Sequence, residues 1–446
     1  MNAGVSATAP ARAAAVVALA TIAAYAAAPD TVFQYDDFRV VVIDRDVHSW
    51  AAWWASMPGM RPLTKASYVA NWLVSPAPAG FALAGVAMHV AATLLVLALA
   101  RRWLPAFAPA LARPGFAVLA CALLFALHPA QTEAVVYIAG RSTVLASLAT
   151  LAGLYAWERS RERATAAWRT AALLLFVASL CAREAAWQMP FAIVLVEVAR
   201  GERLRDALRG TLPFWLIGFA LAAMLIAVPA YRRLLETSLA IRPPLDNLIA
   251  QVDAVVYLVT HPLLTLRLNF DPDLAARDAI DAAWLAKAAA LAALVGVGIA
   301  QLRARPWLGF AILWFVLALA PTHGPLARYE LANDRQLYLA LVGPALVAGV
   351  WLASWRRRMA ANTALVALSL MLAVATFVRV TDYASEERLW EATVRAGPDN
   401  ARAWNNLGQA HEAAGDRDRA REAYRRSLAI DPGQLKARGN LDALGP

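Results

Sequence analysis

Long blocks of alanine, leucine and valine alternate along this chain with short arginine clusters or with polar stretches rich in carboxylates and aromatic rings. Eleven blocks are candidate membrane crossings: 11–28, 80–100, 114–127, 142–157, 164–180, 185–198, 211–228, 282–301, 307–320, 336–354 and 360–378. A helix needs roughly 20 apolar residues to span a bilayer, and several blocks are shorter than that. The first ends in "AYAAA", as a signal sequence does, but it leads into further blocks and reads as a retained helix.

The connections differ in charge. Arg101, Arg102 and Arg113 fill one; Arg159, Arg161, Arg163 and Arg169 another; Arg200, Arg203, Arg205 and Arg209 the next. Arg303 with Arg305, then Arg356, Arg357 and Arg358, fill two more. Cytoplasmic loops carry the excess of Lys and Arg, so these connections are expected inside and the 29–79 loop, with Asp36 and Asp37, outside. One stretch tests the scheme. If 247–266 crossed fully, the last two arginine clusters would fall outside, so it is expected to be re-entrant or half-spanning. Backbone at membrane depth that does not span is tolerated only against protein or a wet cavity, which predicts that this stretch lines one. The expected architecture is all-α: a polytopic unit over 1–380 with about eleven crossings, N-terminus inside, and a tail over 381–446 outside.

Composition agrees: 60% of the 446 residues are hydrophobic and 17% charged, against about a quarter charged in soluble domains. The net charge of +10 lies in topology-setting clusters, so no nucleic-acid partner is expected. Cys121 and Cys181 sit in apolar blocks, too few for a zinc cluster or a disulfide framework. No P-loop or dinucleotide-type glycine motif occurs, which removes support for ATP-driven transport and nicotinamide chemistry.

Beyond 380 the chain turns charged, alanine-rich and helical. "WNNLGQAHEAAGDRDRAREAYRRSLAIDP" places Trp404, Leu407, Gly408, Ala420, Tyr424 and Pro432 at tetratricopeptide-repeat spacing. Trp390 and Pro398 precede Tyr424 and Pro432 by one 34-residue period, and Leu441 follows Leu407 by another. Such repeats bury their apolar faces only against neighbours, so this short α-solenoid is expected to lean on the last membrane helix or on a partner.

Polar residues recur at the outward ends of the blocks: His128, Glu133 and Arg141; Arg183 and Glu184; His323, Arg328, Asp334, Arg335 and Tyr338. His89 lies mid-block. Arginines with carboxylates at a membrane edge suit an anionic phosphate held near the lipid surface.

"RPLTKASYVANWL", "GFALAGVAMHV", "LFALHPAQTEAVVYIAGR", the "ARE" step, "DRQLYL" and the repeat tail, after an early external "DD", resemble the transmembrane-and-tetratricopeptide-repeat O-mannosyltransferases. The resemblance covers nearly the whole chain, which departs from the family in its short repeat array, in "DRQLYL" and in arginine before the glutamate of "ARE". It implies a GT-C-type glycosyltransferase that moves a sugar from a polyprenyl-phosphate donor to an acceptor hydroxyl, of a protein Ser or Thr or of a glycan. Asp36 is then the expected base, supported by Asp37, because adjacent like charges raise one carboxyl's pKa. Arg141, Arg183 and Arg335 would grip the phosphate, with His128, Glu133, Glu184, Tyr338 and His89 as further substrate-binding candidates. Asp36, Asp37 and Glu133 offer hard oxygens to a divalent metal, Mg or Mn, although no spacing demands one. Alanine and arginine richness points to a bacterial source, hence an inner-membrane protein with site and tail facing the periplasm. Two other readings use the same features. A non-enzymatic scaffold would recruit partners through the repeats, and a lipid-linked sugar flippase or polysaccharide transporter would use the arginines without a base.

Overall fold

The computed structural model describes all residues except 1–7, 164, 261–266, 273, 275, 278 and 446. Among the described residues, all regular structure is helical. An entry helix, α1 (Thr8–Ala24), leads into an outer loop carrying α2 (Trp50–Ala55) and α3 (Pro62–Val74). The core follows: α4 (Pro78–Phe107), α5 (Pro114–Ala126), the short α6 (Thr132–Val136), α7 (Arg141–Arg163), α8 (Ala166–Ala182) and α9 (Met189–Ala199). After α10 (Leu204–Gly210) come α11 (Leu212–Ala227), α12 (Pro229–Ile241) and α13 (Pro244–Thr260). The membrane part closes with α14 (Ala282–Ala304), α15 (Pro306–Leu319), α16 (Leu337–Ala340), α17 (Val342–Ala353) and α18 (Arg358–Thr381). The tail is α19 (Glu386–Ala396), α20 (Ala401–Ala413), α21 (Arg417–Ile430) and α22 (Leu435–Leu444).

Local chemistry starts many of these helices. Pro62, Pro78, Pro114, Pro229, Pro244 and Pro306 stand at first helical positions, where a missing N–H costs nothing. Asp281, Ser385, Asn400 and Asp416 cap α14, α19, α20 and α21 through their side chains. Inside the bundle Trp103, Phe107, Phe310 and Trp314 pack ring to ring and join α4 to α15. Close approach depends on glycine: a Cβ on Gly85 of α4 would lie 2.0 Å from the Val135 carbonyl oxygen.

Among the described residues, four helices are long and apolar enough to cross a membrane, or up to seven if each bent helix pair counts as one span. Length and composition therefore do not reach the eleven expected crossings; α8 and α15 are apolar but shorter. Large side chains such as Leu216, Phe219 and Ile226 of α11 and Leu370, Val374 and Val378 of α18 stay exposed. Apolar belts of that kind fit lipid rather than water, and the chain is a membrane protein.

Polar contacts gather at the two ends of the bundle. At one end Arg102 pairs with Glu162 (2.9 Å), Arg200 with Glu158 (2.5 Å), and the Arg113 guanidinium donates to the Leu352 carbonyl (3.0 Å). The other end holds the 29–79 loop, the turns at 128–141, 183–188 and 320–336, and the tail. The stretch 247–266 starts there: Asn247 of α13 donates to the Gly324 carbonyl (2.8 Å). The chain is at that end again at Asn269, whose N–H donates to Asp334 (3.2 Å). Residues 261–266, within the half-spanning expectation, lie outside the described residues.

The tail folds as the repeat spacing predicts. Gly408 lets α20 close on Tyr424 of α21, whose ring atoms would sit 2.5 Å from an added Cβ. It leans on the membrane part: Asn400 donates to the Asp271 carbonyl (3.0 Å), and Arg402 forks onto the Asp271 carboxylate.

Candidate functional site

Asp36 and Asp37 are adjacent in sequence, yet the fold separates their environments. Asp37 is fully buried, accepting N–H bonds from Ala139 (2.6 Å) and Gln34 (3.0 Å), so its carboxylate ties the outer loop to the 137–140 turn. Burial pushes its pKa up to about 7, against the pull of those N–H donors; the neighbouring Asp36 charge adds to the rise. The Asp36 side chain stays 40% exposed, with only a long 3.6 Å pair to the exposed Arg39. Its N–H donates to the Tyr137 hydroxyl (3.2 Å).

Asp36 opens onto a small pocket with Tyr35, Tyr137, Phe270, Asp271, Glu330, Arg335, Trp390 and Arg402. Carboxylates face guanidiniums across it, and aromatic rings form the walls. Arg335 is held from behind by buried Glu133, which accepts its guanidinium (2.5 Å) and its backbone N–H (3.0 Å). Glu330 lies 3.5 Å away and the Tyr137 ring 5.9 Å.

Beside Arg335 stand three more arginines. Arg61 forks onto Glu184 (3.0 and 3.0 Å). Burial would raise the Glu184 pKa, but the charge and hydrogen bonds of Arg61 win and hold it down at about 2. Arg183, 8% exposed, contacts the hydroxyls of Thr143 and Ser142. Burial, then the charges of Arg328, Arg61 and Arg335, pull its pKa well below the usual range. Arg328 is lowered to about 10 by burial and by Arg61. Among the described residues neither Arg183 nor Arg328 forms a salt bridge. Like charges crowded this closely, two of them with no carboxylate at salt-bridge distance among the described residues, create a field that an anion would relieve.

The remaining candidates are distributed differently. The Arg141 guanidinium is spent on the protein, donating to Asn71 (2.8 Å), the Phe81 carbonyl (2.9 Å) and the Ser67 carbonyl (3.2 Å) between the rings of Tyr68 and Phe81. His128 accepts from the Ala130 N–H and caps the turn into α6. His89 and Tyr338 bond each other (2.8 Å) deep in the bundle, where His89 also meets the Ala126 carbonyl (3.0 Å). The three carboxylates considered for a metal do not converge: two are engaged by N–H donors or Arg335. No group of three or more His, Cys, Asp or Glu among the described residues is placed to hold a metal ion. Sequence reasoning missed Tyr35, Tyr137, Phe270, Asp271, Glu330, Trp390 and Arg402 as pocket residues. Only "DD" neighbours and the "NFDPD" stretch hinted at any of them.

Comparison with known proteins adds relatives. The model described as tetratricopeptide repeat matches residues 376–434. Over 470 residues the chain is 22% identical to the protein O-mannosyl-transferase TMTC3 of Homo sapiens, covering 92% of this chain and 50% of that protein. The Mus musculus protein of the same name is 23% identical over 471 residues, with the same coverage. The protein O-mannosyl-transferase Tmtc2 of Drosophila melanogaster is 30% identical over 192 residues, 38% of this chain and 20% of that protein. The chain spans half or less of the length of these curated relatives. No solved structure matches it. The resemblance read from the motifs is borne out: the chain is similar to the transmembrane-and-tetratricopeptide-repeat O-mannosyltransferases.

Proposed function

We propose that this relative of the O-mannosyltransferases is a GT-C-type glycosyltransferase, moving mannose from a polyprenyl-phosphate donor to a protein Ser or Thr hydroxyl. The observation that carries the reading is Asp36: a partly exposed carboxylate lining the same small pocket as Arg335, which has Arg183 and Arg328 beside it with no carboxylate at salt-bridge distance among the described residues. A base and a cation at one pocket, with further cations beside it, are what such a transfer needs.

In this mechanism Asp36 takes the proton of the acceptor hydroxyl as its oxygen bonds to the anomeric carbon. The bond from that carbon to the phosphate oxygen breaks, and its electron pair leaves with the phosphate. Arg335, Arg183 and Arg328 stabilise the charge that develops there. Glu133 fixes Arg335 and Asp37 fixes the loop, so neither needs to touch substrate. Eleven crossings, with site and tail on the external face, belong to this reading, and the alternation of arginine-rich and arginine-poor connections supports them. In a bacterial inner membrane that face is the periplasmic one. α13 begins at the site end and the chain is there again at Asn269, which supports a half-spanning wall beside the donor.

The test is transfer of labelled mannose from a purified polyprenyl-phosphate donor to serine- and threonine-containing peptides. Loss of a general base costs about 10²–10⁴ in rate, so Asp36→Asn should be inactive yet normally inserted. Arg183→Ala and Arg328→Ala should raise the KM for donor. Wild-type rates from the Asp36→Asn, Asp37→Asn double variant would reduce the pair to a helix-end marker and sink the proposal.

A further inference from the structure

Tyr35, immediately before Asp36, has φ 44°, in the left-handed region that strains any residue with a Cβ. Strain of this kind persists only where surrounding contacts over-determine the conformation. Those contacts come largely from the start of the tail. The Tyr35 N–H donates to Glu386 Oε1 (3.1 Å), and its ring stands edge-on to Trp390 with centroids 5.6 Å apart. On the preceding residues, the Val32 N–H (3.2 Å) and the Gln34 side chain (3.0 Å) both donate to the Tyr383 carbonyl. Nothing in a recruiting role for the repeats requires this clasp.

We infer that the repeat tail is a built-in positioning device for Asp36: Glu386 and Trp390 hold Tyr35 in its left-handed conformation and thereby aim the Asp36 carboxylate into the pocket. Arg402 and Asn400 extend the clasp by anchoring α20 to the wall at Asp271. The inference rests on the transfer reaction proposed above. It makes the tail part of the site, so whatever occupies the repeats is felt at the base. Tyr35, Glu386 and Trp390 act through Asp36 and are positioning residues.

The test compares full-length wild type with Glu386→Ala and Trp390→Ala in two arms. In the kinetic arm, with the peptide acceptor and polyprenyl-phosphate mannose, each variant should lose kcat by at least about tenfold. Small misplacements of a reacting group cost up to roughly 10²-fold. In Glu386→Ala, whose side chain lies outside the pocket lining, both KM values should stay within about twofold. Tyr35→Asn, which tolerates the left-handed region, should keep at least about ten times the kcat of Tyr35→Val, which does not. The second arm needs no activity: hydrogen exchange at the Tyr35 amide should be slow in wild type and faster in Glu386→Ala. A raised acceptor KM with unchanged kcat and unchanged exchange would make the tail a recruiting module and overturn the inference. If wild type transfers nothing, the reaction proposed above fails while the exchange arm still decides whether the clasp exists.

Discussion

The Asp37 carboxyl is buried and keeps its proton up to about pH 7, whereas an unfolded aspartate releases it near pH 4. A group whose pKa is raised by folding stabilises the native state below the unfolded value. That contribution is lost as pH climbs from about 4 through about 7 and is flat beyond. His323 acts in the opposite sense: burial and the charge of Arg328 lower its pKa to about 4, so its contribution grows with pH up to about 6.5. Glu184, held near 2, is ionised in both states over this range and adds no slope. The informative quantity is the difference between wild type and Asp37→Asn. Thermal midpoints from pH 5 to 8 should fall more steeply, or rise less, in wild type than in the variant. Equal slopes would show that Asp37 is ionised throughout. The sequence placed both aspartates near the site, but which one is exposed depends on N–H donors at Gln34 and Ala139, and the latter lies 102 residues away. Arg141 makes the same point. An arginine at a helix end looks like a phosphate ligand until the fold surrounds it with Asn71, Ser67 and Phe81.

At the scale of elements, the apolar blocks foretold most of the helices, and the 34-residue period foretold the tail. Bends were hidden. α5 and the 129–136 segment meet at 49°, because Pro129 and the His128 cap break the ladder where composition stays apolar. The loop wall at 267–271 was hidden too, since its partners are Asn400 and Arg402 in the tail. Helix crossings supply a testable detail. Gly85 touches the Val135 carbonyl of α6, the short helix that carries Glu133 and leads to the Ala139 N–H beneath Asp37. Forcing a larger side chain into a packed contact typically costs about 1–3 kcal/mol. Gly85→Val should lower the thermal midpoint and, by shifting the 133–139 turn, reduce transfer as well. Gly115→Ala, whose Cβ would meet nothing within 4 Å, is the control and should leave both unchanged. A Gly85→Val variant as stable as that control would mean that α4 and α6 can part without consequence.

The molecule as a whole is polarised, with basic clusters at one end and the acidic loop, the pocket and the tail at the other. The alternation of loop charge was legible because insertion reads it from the sequence, whereas the clasp between tail and outer loop joins residues some 350 positions apart. The polarity predicts where water-soluble thiol reagents can reach. In a background with Cys121 and Cys181 replaced, Arg39→Cys and Asp418→Cys should label from the external side of sealed vesicles or intact cells. Both side chains are largely exposed, at 79% and 97%. Glu202→Cys and Arg357→Cys should label only after permeabilisation, since they sit beside arginine clusters expected inside. The tail position is decisive. An external Asp418→Cys with an internal Arg357→Cys requires α18 to cross once; with Glu202→Cys internal as well, the crossings between 202 and 357 are even in number, so the 247–266 stretch adds none to α11, α14, α15 and α17. Labelling of Asp418→Cys and Glu202→Cys from the same side would place the Asp36 pocket and the arginine loops in one compartment. No lipid-anchored donor would then be held between them, and both the half-spanning wall and the external transfer site would have to be abandoned.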